Sequence, residues 1–299
     1  MDRAAAELLL ASLFVESTPE RLEALKNALA NTKDFGGFVP ALAHHGVVLL
    51  FQRNLAAAGI EPPPTLAQQL TARAGEERHV ALRARLTLQR FLAAAGREHV
   101  EVTAVRSSAL ALDLYPEPMR TQRELELFVP PEQLTRALAA ARSAGLAPDA
   151  GELPPWWTRA THGELRLRGS SAHLAPVRLS TRLHHPSLMV SAREPELLAR
   201  RRRIKIEGHE LFVLEPLDAL LELALTLATR AGLDTLTTGR RHLLTAASSA
   251  SSPLRLAELC DLRTFLERPD VTLSAGALVA RAHEWNAEAA LRAALECVL

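Results

Sequence analysis

Residues 100–129 decide the fold of this chain, and they read VEVTAVRSSALALDLYPEPMRTQRELELFV. Residues 100–105 alternate along the chain and are rich in valine and threonine, which predicts a strand. Residues 125–129 repeat the pattern as a second short strand, bounded by two prolines. Between them, residues 108–114 have a short helical pattern. The stretch therefore predicts a strand, a helix and a strand in close succession.

The strand pattern continues downstream, after a helix that begins near Leu134 and stops at Gly145. Four further segments have the length and composition of strands, namely residues 164–168, 177–181, 204–206 and 211–214. Strands of this kind with a few helices among them predict an α+β fold built on a small mixed β-sheet.

Helical periodicity dominates both sides of this section. Ser17-Thr18-Pro19-Glu20 is a helix-start signature, with a capping hydroxyl, a proline in the first turn and a carboxylate near the positive helix end. We therefore expect three regions: an N-terminal helical region at 1–97, an α+β core at 98–214 and a C-terminal helical region at 215–299.

Composition excludes several classes of protein. The 299 residues contain 35 Lys+Arg and 34 Asp+Glu, so a net charge of +1 argues against a DNA coat protein or a polybasic membrane binder. Cys260 and Cys297 are far apart and lack the spacing of a zinc site or a disulfide scaffold. Asp218 and Glu222 interrupt the most apolar stretch, so no membrane partner is expected. We expect a soluble, cytoplasmic protein.

Three segments of the middle section carry a resemblance to a known family. They are Ala104-Val105-Arg106-Ser107-Ser108-Ala109-Leu110, Leu114-Tyr115-Pro116, and Arg120-Thr121-Gln122-Arg123-Glu124-Leu125-Glu126-Leu127-Phe128-Val129. In order and spacing they resemble the bacterial uncharacterised nucleotidyltransferase family of the DNA polymerase β-like superfamily. That family has lysine-glycine and small residues after the first strand, then a Tyr, an Arg, and Asp-x-Asp before an apolar strand.

The resemblance implies a metal site, and this sequence departs from it. Glu124 and Glu126 stand where the family has the two Asp that hold Mg²⁺, so they are the candidate metal ligands and catalytic residues. Each carboxylate is one methylene farther from the strand. At the third acid of the family pattern the chain has Arg178, and we expect it to pair with Glu124 or Glu126 in place of a metal. Glu164 is a fallback third acid.

The resemblance also implies a phosphate-binding turn after the first strand. Arg106, Ser107 and Ser108 replace the lysine-glycine of the family, and a helix start with hydroxyls and a guanidinium can still bind an anion. The expected cleft is lined by Arg106, Ser107, Ser108, Arg120, Glu124, Glu126 and Arg178.

Three interpretations stay open at this point. In the first, the chain is a degenerate nucleotidyltransferase, a pseudoenzyme that acts by binding or scaffolding, with a nucleotide or a protein as its partner. In the second, it is an active enzyme that uses Mg²⁺ to move a nucleoside monophosphate from an NTP to a hydroxyl or amine. In the third, Glu124 and Glu126 are only the solvent face of an edge strand. Mg²⁺ and NTP are cofactors only under the second, and the oligomeric state is left open.

Two further features suggest nucleic-acid contact. The run Arg200-Arg201-Arg202-Arg203 could meet a phosphate backbone, although no aromatic residue interleaves with it, so a solvated segment before a strand is favoured. Trp156-Trp157 could stack bases or pack in a loop, and packing is favoured.

Overall fold

The structure is a computed structural model that describes residues 2–115, 119–149, 163–183, 194–231, 255–268 and 273–298. Trp156 and Trp157 lie outside these ranges. Among the described residues, no helix combines the length and the apolar character that a bilayer span requires.

Twelve α-helices lie within the described ranges: five precede the sheet in sequence, three lie between its strands and four follow it. They are α1 (Arg3–Ala11), α2 (Pro19–Asn31), α3 (Phe38–His45), α4 (Val48–Ala57), α5 (Pro64–Arg97), α6 (Arg106–Asp113), α7 (Leu134–Ser143), α8 (Glu194–Arg200), α9 (Pro216–Ala231), α10 (Leu256–Leu266), α11 (Ala275–Trp285) and α12 (Glu288–Val298). The start of α2 is as predicted, since the Thr18 hydroxyl caps it and Pro19 is its first residue.

Seven described strands form one sheet. They are β1 (Thr103–Ala104), β2 (Leu125–Phe128), β3 (Leu146–Pro148), β4 (Glu164–Gly169), β5 (Val177–Ser180), β6 (Arg202–Ile206) and β7 (His209–Val213). Their order across the sheet is β3-β4-β5-β2-β1-β7-β6. The β2–β5 and β1–β7 pairs are parallel and the other pairs are antiparallel. The predicted α+β class with a small mixed sheet is confirmed.

The first strand is shorter than its sequence pattern predicts. Only Thr103 and Ala104 form β1, although Val100 and Val102 are buried as a strand pattern requires. The Glu101 N–H donates to the Gln133 side chain at 2.7 Å rather than to a neighbouring strand. The Gln133 side chain therefore takes a backbone N–H that a neighbouring strand would otherwise bind. The unpredicted β3 ends in a proline at the sheet edge, where a missing N–H is tolerated.

Two hydrophobic cores hold the molecule together, and α5 contributes to both. Leu66 and Leu70 near the start of α5 pack in the core that the N-terminal and C-terminal helices share. Leu88 and Phe91 near its end pack against the sheet. The helices at the two ends of the chain are thus joined by common packing, with the sheet beside them.

A buried polar network fixes the segment that leads into β2. The Tyr115 hydroxyl donates to Asp261 Oδ1 at 2.6 Å, and Arg120 Nε lies 3.1 Å from Asp261 Oδ2. Asp261 on α10 is fully buried. Although burial alone would lower the pKa of Arg120, the Asp261 carboxylate raises it above its ordinary value, so the guanidinium stays charged.

This network should contribute strongly to stability. Because Asp261→Asn leaves the buried Arg120 guanidinium without its carboxylate, we expect it to lower the free energy of unfolding by about 3 kcal/mol. Tyr115→Phe removes one hydrogen bond and should cost about 1 kcal/mol. Urea unfolding of both variants and of the wild type measures the difference. Equal losses in the two variants would show that the ion pair adds nothing beyond the hydroxyl contact.

Candidate functional site

The site is built where β1 ends and α6 begins. Arg106 is the first residue of α6 and has a φ of 51°, a left-handed conformation that favours glycine and is strained for arginine. In this conformation its N–H donates to Glu222 Oε2 at 3.1 Å. The next N–H, that of Ser107, donates to Glu126 Oε2 at 3.1 Å. Two carboxylates of the chain thus take the N–H groups at this helix start, the groups that would otherwise cradle a phosphate.

Ser107 and Ser108 both contact Glu126, in different ways. The Ser107 hydroxyl donates to the Glu126 carboxylate. The Ser108 hydroxyl accepts from the Glu126 backbone N–H at 2.8 Å, and Ser108 is fully buried. Ser108 therefore joins α6 to β2 and does not face the cleft, whereas Ser107 does. Of the two serines predicted to bind an anion, Ser107 alone faces the cleft, and its hydroxyl contacts Glu126.

Glu124 is held by two arginines from neighbouring strands. Arg178 on β5 donates to Glu124 Oε2 from Nε at 3.2 Å and from Nη2 at 2.7 Å. The predicted pairing of Arg178 with one of the two glutamates is confirmed. Arg166 on β4 approaches the other oxygen, with its Nε 2.8 Å from Glu124 Oε1. Arg166 lies directly opposite Arg178 in the antiparallel β4–β5 pair, so Glu124 separates two like charges.

Arg106 joins the remaining carboxylates. Its Nη1 lies 2.8 Å from Glu164 Oε1 and 3.8 Å from Glu126 Oε1. Although burial alone would lower the pKa of Arg106, the carboxylates of Glu222, Glu164 and Glu126 raise it. Arg178 behaves alike: burial opposes its charge, and Glu124 raises its pKa above the ordinary value. Guanidinium and carboxylate groups therefore alternate across the cleft.

The carboxylates do not fit a metal ion in this arrangement. Glu124, Glu126 and Glu164 each face a guanidinium at the side where a cation would have to bind. Within the ranges that the structure describes, no three His, Cys, Asp or Glu side chains are grouped so that they could hold a metal. Mg²⁺ requires near-ideal octahedral oxygen ligands, and a guanidinium supplies none.

Arg120 is separated from Glu124 and Arg178. Its guanidinium belongs to the network with Tyr115 and Asp261 and is largely buried. It shares with Arg106 and Ser107 the wall of a cavity of about 20 Å³ between α6, α9 and α10, room for about one water molecule. The structure thus brings Arg106, Ser107, Glu124, Glu126 and Arg178 together and leaves Arg120 behind α6.

Glu222 belongs to the site and was not predicted. It lies on α9 and is 4% exposed, and its Oε1 has no hydrogen-bond partner among the residues that the structure describes. Burial raises the pKa of Glu222 to about 7, although the charge and the backbone N–H of Arg106 oppose this rise. Its position in the sequence could have indicated its importance. It is a carboxylate within a mainly apolar helical stretch, where a buried ionisable group requires a partner.

The arginine run at the sheet edge forms ion pairs within the chain. Each of the four guanidiniums faces a carboxylate of another segment. The pairs are Arg200 with Asp218, Arg201 with Glu101, Arg202 with Asp113, and Arg203 with Glu210. Arg201 also lies 3.9 Å above the Phe212 ring. These ion pairs give the run a structural role, and contact with nucleic acid stays the less favoured interpretation of its sequence.

Glu222 predicts a pH dependence of stability. Its pKa in the folded protein lies above that of an unfolded carboxyl, so between about pH 5 and 7 the folded state binds more protons, and stability falls as the pH rises. We expect the wild type to lose about 3 kcal/mol more than Glu222→Gln between pH 5 and pH 8. Urea unfolding at both pH values measures this. Glu210→Gln, an exposed carboxylate at the sheet edge, is the control; a Glu222→Gln slope equal to that of the control would contradict the assignment.

The chain was compared with protein-family models, curated proteins and solved structures. The structure of an antigenic nucleotidyltransferase-like protein from Paracoccidioides brasiliensis aligns with a TM-score of 0.36 and 14% sequence identity, over 70% of this chain and 93% of that chain. No curated protein matches the chain. The model of a family described as uncharacterised nucleotidyltransferase matches residues 31–298, which run from the last residue of α2 to the end of α12 and include the sheet. The chain therefore belongs to this family of uncharacterised nucleotidyltransferases.

Proposed function

We propose that this member of the family is a pseudoenzyme, which keeps the nucleotidyltransferase fold and acts by binding a nucleotide or a protein partner. The observation that carries the proposal is the pairing of Arg178 with Glu124, at 2.7 Å, where the family would have an acid and a metal ligand. A guanidinium in place of an acid changes the local charge by two units. It supplies the positive charge that a divalent ion would otherwise bring to these carboxylates.

The second carboxylate supports the same proposal. Glu126 accepts from the Ser107 N–H and hydroxyl and faces Arg106. It is only 6% exposed, so a metal ion would have to displace these donors and leave them buried without partners. A nucleotide phosphate would have to displace the same carboxylate from the start of α6. Both parts of the catalytic arrangement are thus occupied by groups of the chain itself.

One observation favours the alternative, an active Mg²⁺-dependent enzyme. Arg178 contacts Glu124 at 2.7 Å and lies 3.9 Å from Glu164, while Arg106 lies 2.8 Å from Glu164. The guanidiniums of Arg106 and Arg178 therefore link Glu124, Glu126 and Glu164 into one cluster. If both arginines turned outward on substrate binding, Glu124, Glu126 and Glu164 would face one another.

Nucleotide titration with and without Mg²⁺ or Mn²⁺ distinguishes the two. We expect the wild type to show no metal-dependent NTP binding by calorimetry and no release of pyrophosphate. The double variant Arg106→Lys/Arg178→Asp, which restores the family residue types at these two positions, should gain metal affinity by at least about tenfold because Arg178→Asp removes a half-buried cation and adds a ligand. Arg203→Gln, whose partner lies at the far edge of the sheet, is the matched control and should behave as the wild type does.

The decisive contrary result is saturable, metal-dependent NTP binding with turnover by the wild type. It would establish the active enzyme and assign Glu124 and Glu126 as its metal ligands. Thermal unfolding of the double variant shows whether the exchange has preserved the fold, and a single Arg178→Gln variant gives a milder test. If the wild type is inactive, Arg178→Gln should raise metal affinity less than the double variant does.

A further inference from the structure

A second concave surface lies on the α5 side of the molecule. It encloses about 600 Å³ between α3, α5, the segment before β2 and the start of α10. We call it the basic cleft, because every ionisable side chain among its described lining residues is basic. These residues are Val39, Pro40, Ala43, His44, Arg73, Arg123 and Arg255.

A buried carboxylate positions two of the three guanidiniums. Glu77 on α5 is 2% exposed, and its Oε1 lies 2.8 Å from Arg73 Nη2 and 3.1 Å from Arg123 Nη2. The two guanidiniums therefore converge on a single oxygen atom. This shared ion pair fixes the rotamers of two long side chains in advance, which lowers the entropic cost of ligand binding.

The third guanidinium comes from another segment. Arg255 precedes α10 and donates to the His44 carbonyl oxygen at the end of α3. On the rim, the exposed Glu76 contacts Arg73. The Arg123 side chain is 64% exposed, and its N–H groups away from Glu77 are accessible.

This arrangement suits a phosphate better than other anions. A carboxylate offers two oxygens in one plane and is satisfied by a single guanidinium fork, whereas a phosphate accepts hydrogen bonds on several oxygens from different directions. We propose that the basic cleft binds the phosphate group of a small ligand, through Arg73, Arg123 and Arg255.

A small ligand fits better than a nucleic acid strand. The cleft lies between four segments, and its described lining contains no Phe, Tyr or Trp on which successive bases could stack. The proposal does not depend on whether Glu124 and Glu126 are active, because none of the residues that carry it contacts those carboxylates in the described structure.

Pyrophosphate without added metal is the probe, titrated by calorimetry at low salt. We expect saturable binding that Arg123→Gln and Arg255→Gln each weaken by about tenfold, since each removes charge-assisted hydrogen bonds to the anion. Arg203→Gln, also exposed and ion-paired but on the β6–β7 hairpin, should leave the affinity unchanged. Arg123→Lys keeps the charge without the planar fork and should fall between the wild type and Arg123→Gln. Thermal unfolding confirms that each variant is folded.

Several results would overturn the proposal. They are the absence of pyrophosphate binding by the wild type, an equal loss of affinity in Arg203→Gln, and equally tight binding of acetate. Binding of a single-stranded oligonucleotide that tightens with its length would also overturn it and would favour a nucleic-acid surface. Loss of pyrophosphate binding in Arg178→Gln but not in Arg123→Gln would place the anion in the other cleft. Activity at Glu124 and Glu126 is measured separately with Mg²⁺ and NTP, so the two proposals can fail independently.

Discussion

The arrangement around β2 depends on the hydrogen bonds that the first two residues of α6 give to carboxylates. Arg106 and Ser107 direct their N–H groups at Glu222 and Glu126, which come from α9 and β2. A helix start carries partial positive charge and needs acceptors, so these bonds satisfy donors that burial would otherwise leave orphaned. They also bring a C-terminal helix against the sheet. The chain thus supplies the anions that this helix start would bind in a nucleotide complex.

Charge balance explains why the arginines and the glutamates occur together. Carboxylates that lie close together out of full contact with water repel one another and require positive charge nearby, from a metal ion or from side chains. Arg166 and Arg178 provide it for Glu124, and Arg106 provides it for Glu126 and Glu164. The site is therefore internally neutralised, whereas the described lining of the basic cleft contains no acidic side chain.

The sequence predicts local elements well and long-range partners poorly. The strands at 125–129, 164–168 and 177–181 follow from alternation and lie within a residue of β2, β4 and β5. The pairing of Arg178 with a glutamate follows from the family comparison and from strand geometry. Arg166 and Glu222 are missed because their importance arises only when distant segments meet.

Arg120 is an example of a predicted site residue whose side chain binds a partner that the sequence does not reveal. Its position in the family pattern suggests a role in the cleft, yet Asp261, more than a hundred residues away, determines where its side chain lies. The shortening of β1 has a similar cause, since Gln133 takes a backbone N–H that the local pattern assigns to a strand. A sequence pattern indicates which secondary structure a segment can form. Tertiary contacts determine which of its backbone and side-chain groups are bound elsewhere in the chain.

Helix α5 has a consequence for how the molecule unfolds. Its 34 residues extend for about 50 Å, and they are shared between the two hydrophobic cores. Leu66 and Leu70 serve the helical core, and Leu88 and Phe91 serve the sheet. Opening of either core exposes part of the same helix and removes support from the other. The two cores should consequently melt as a single cooperative unit, and amide protons at the middle of α5 should exchange only when the whole of it opens.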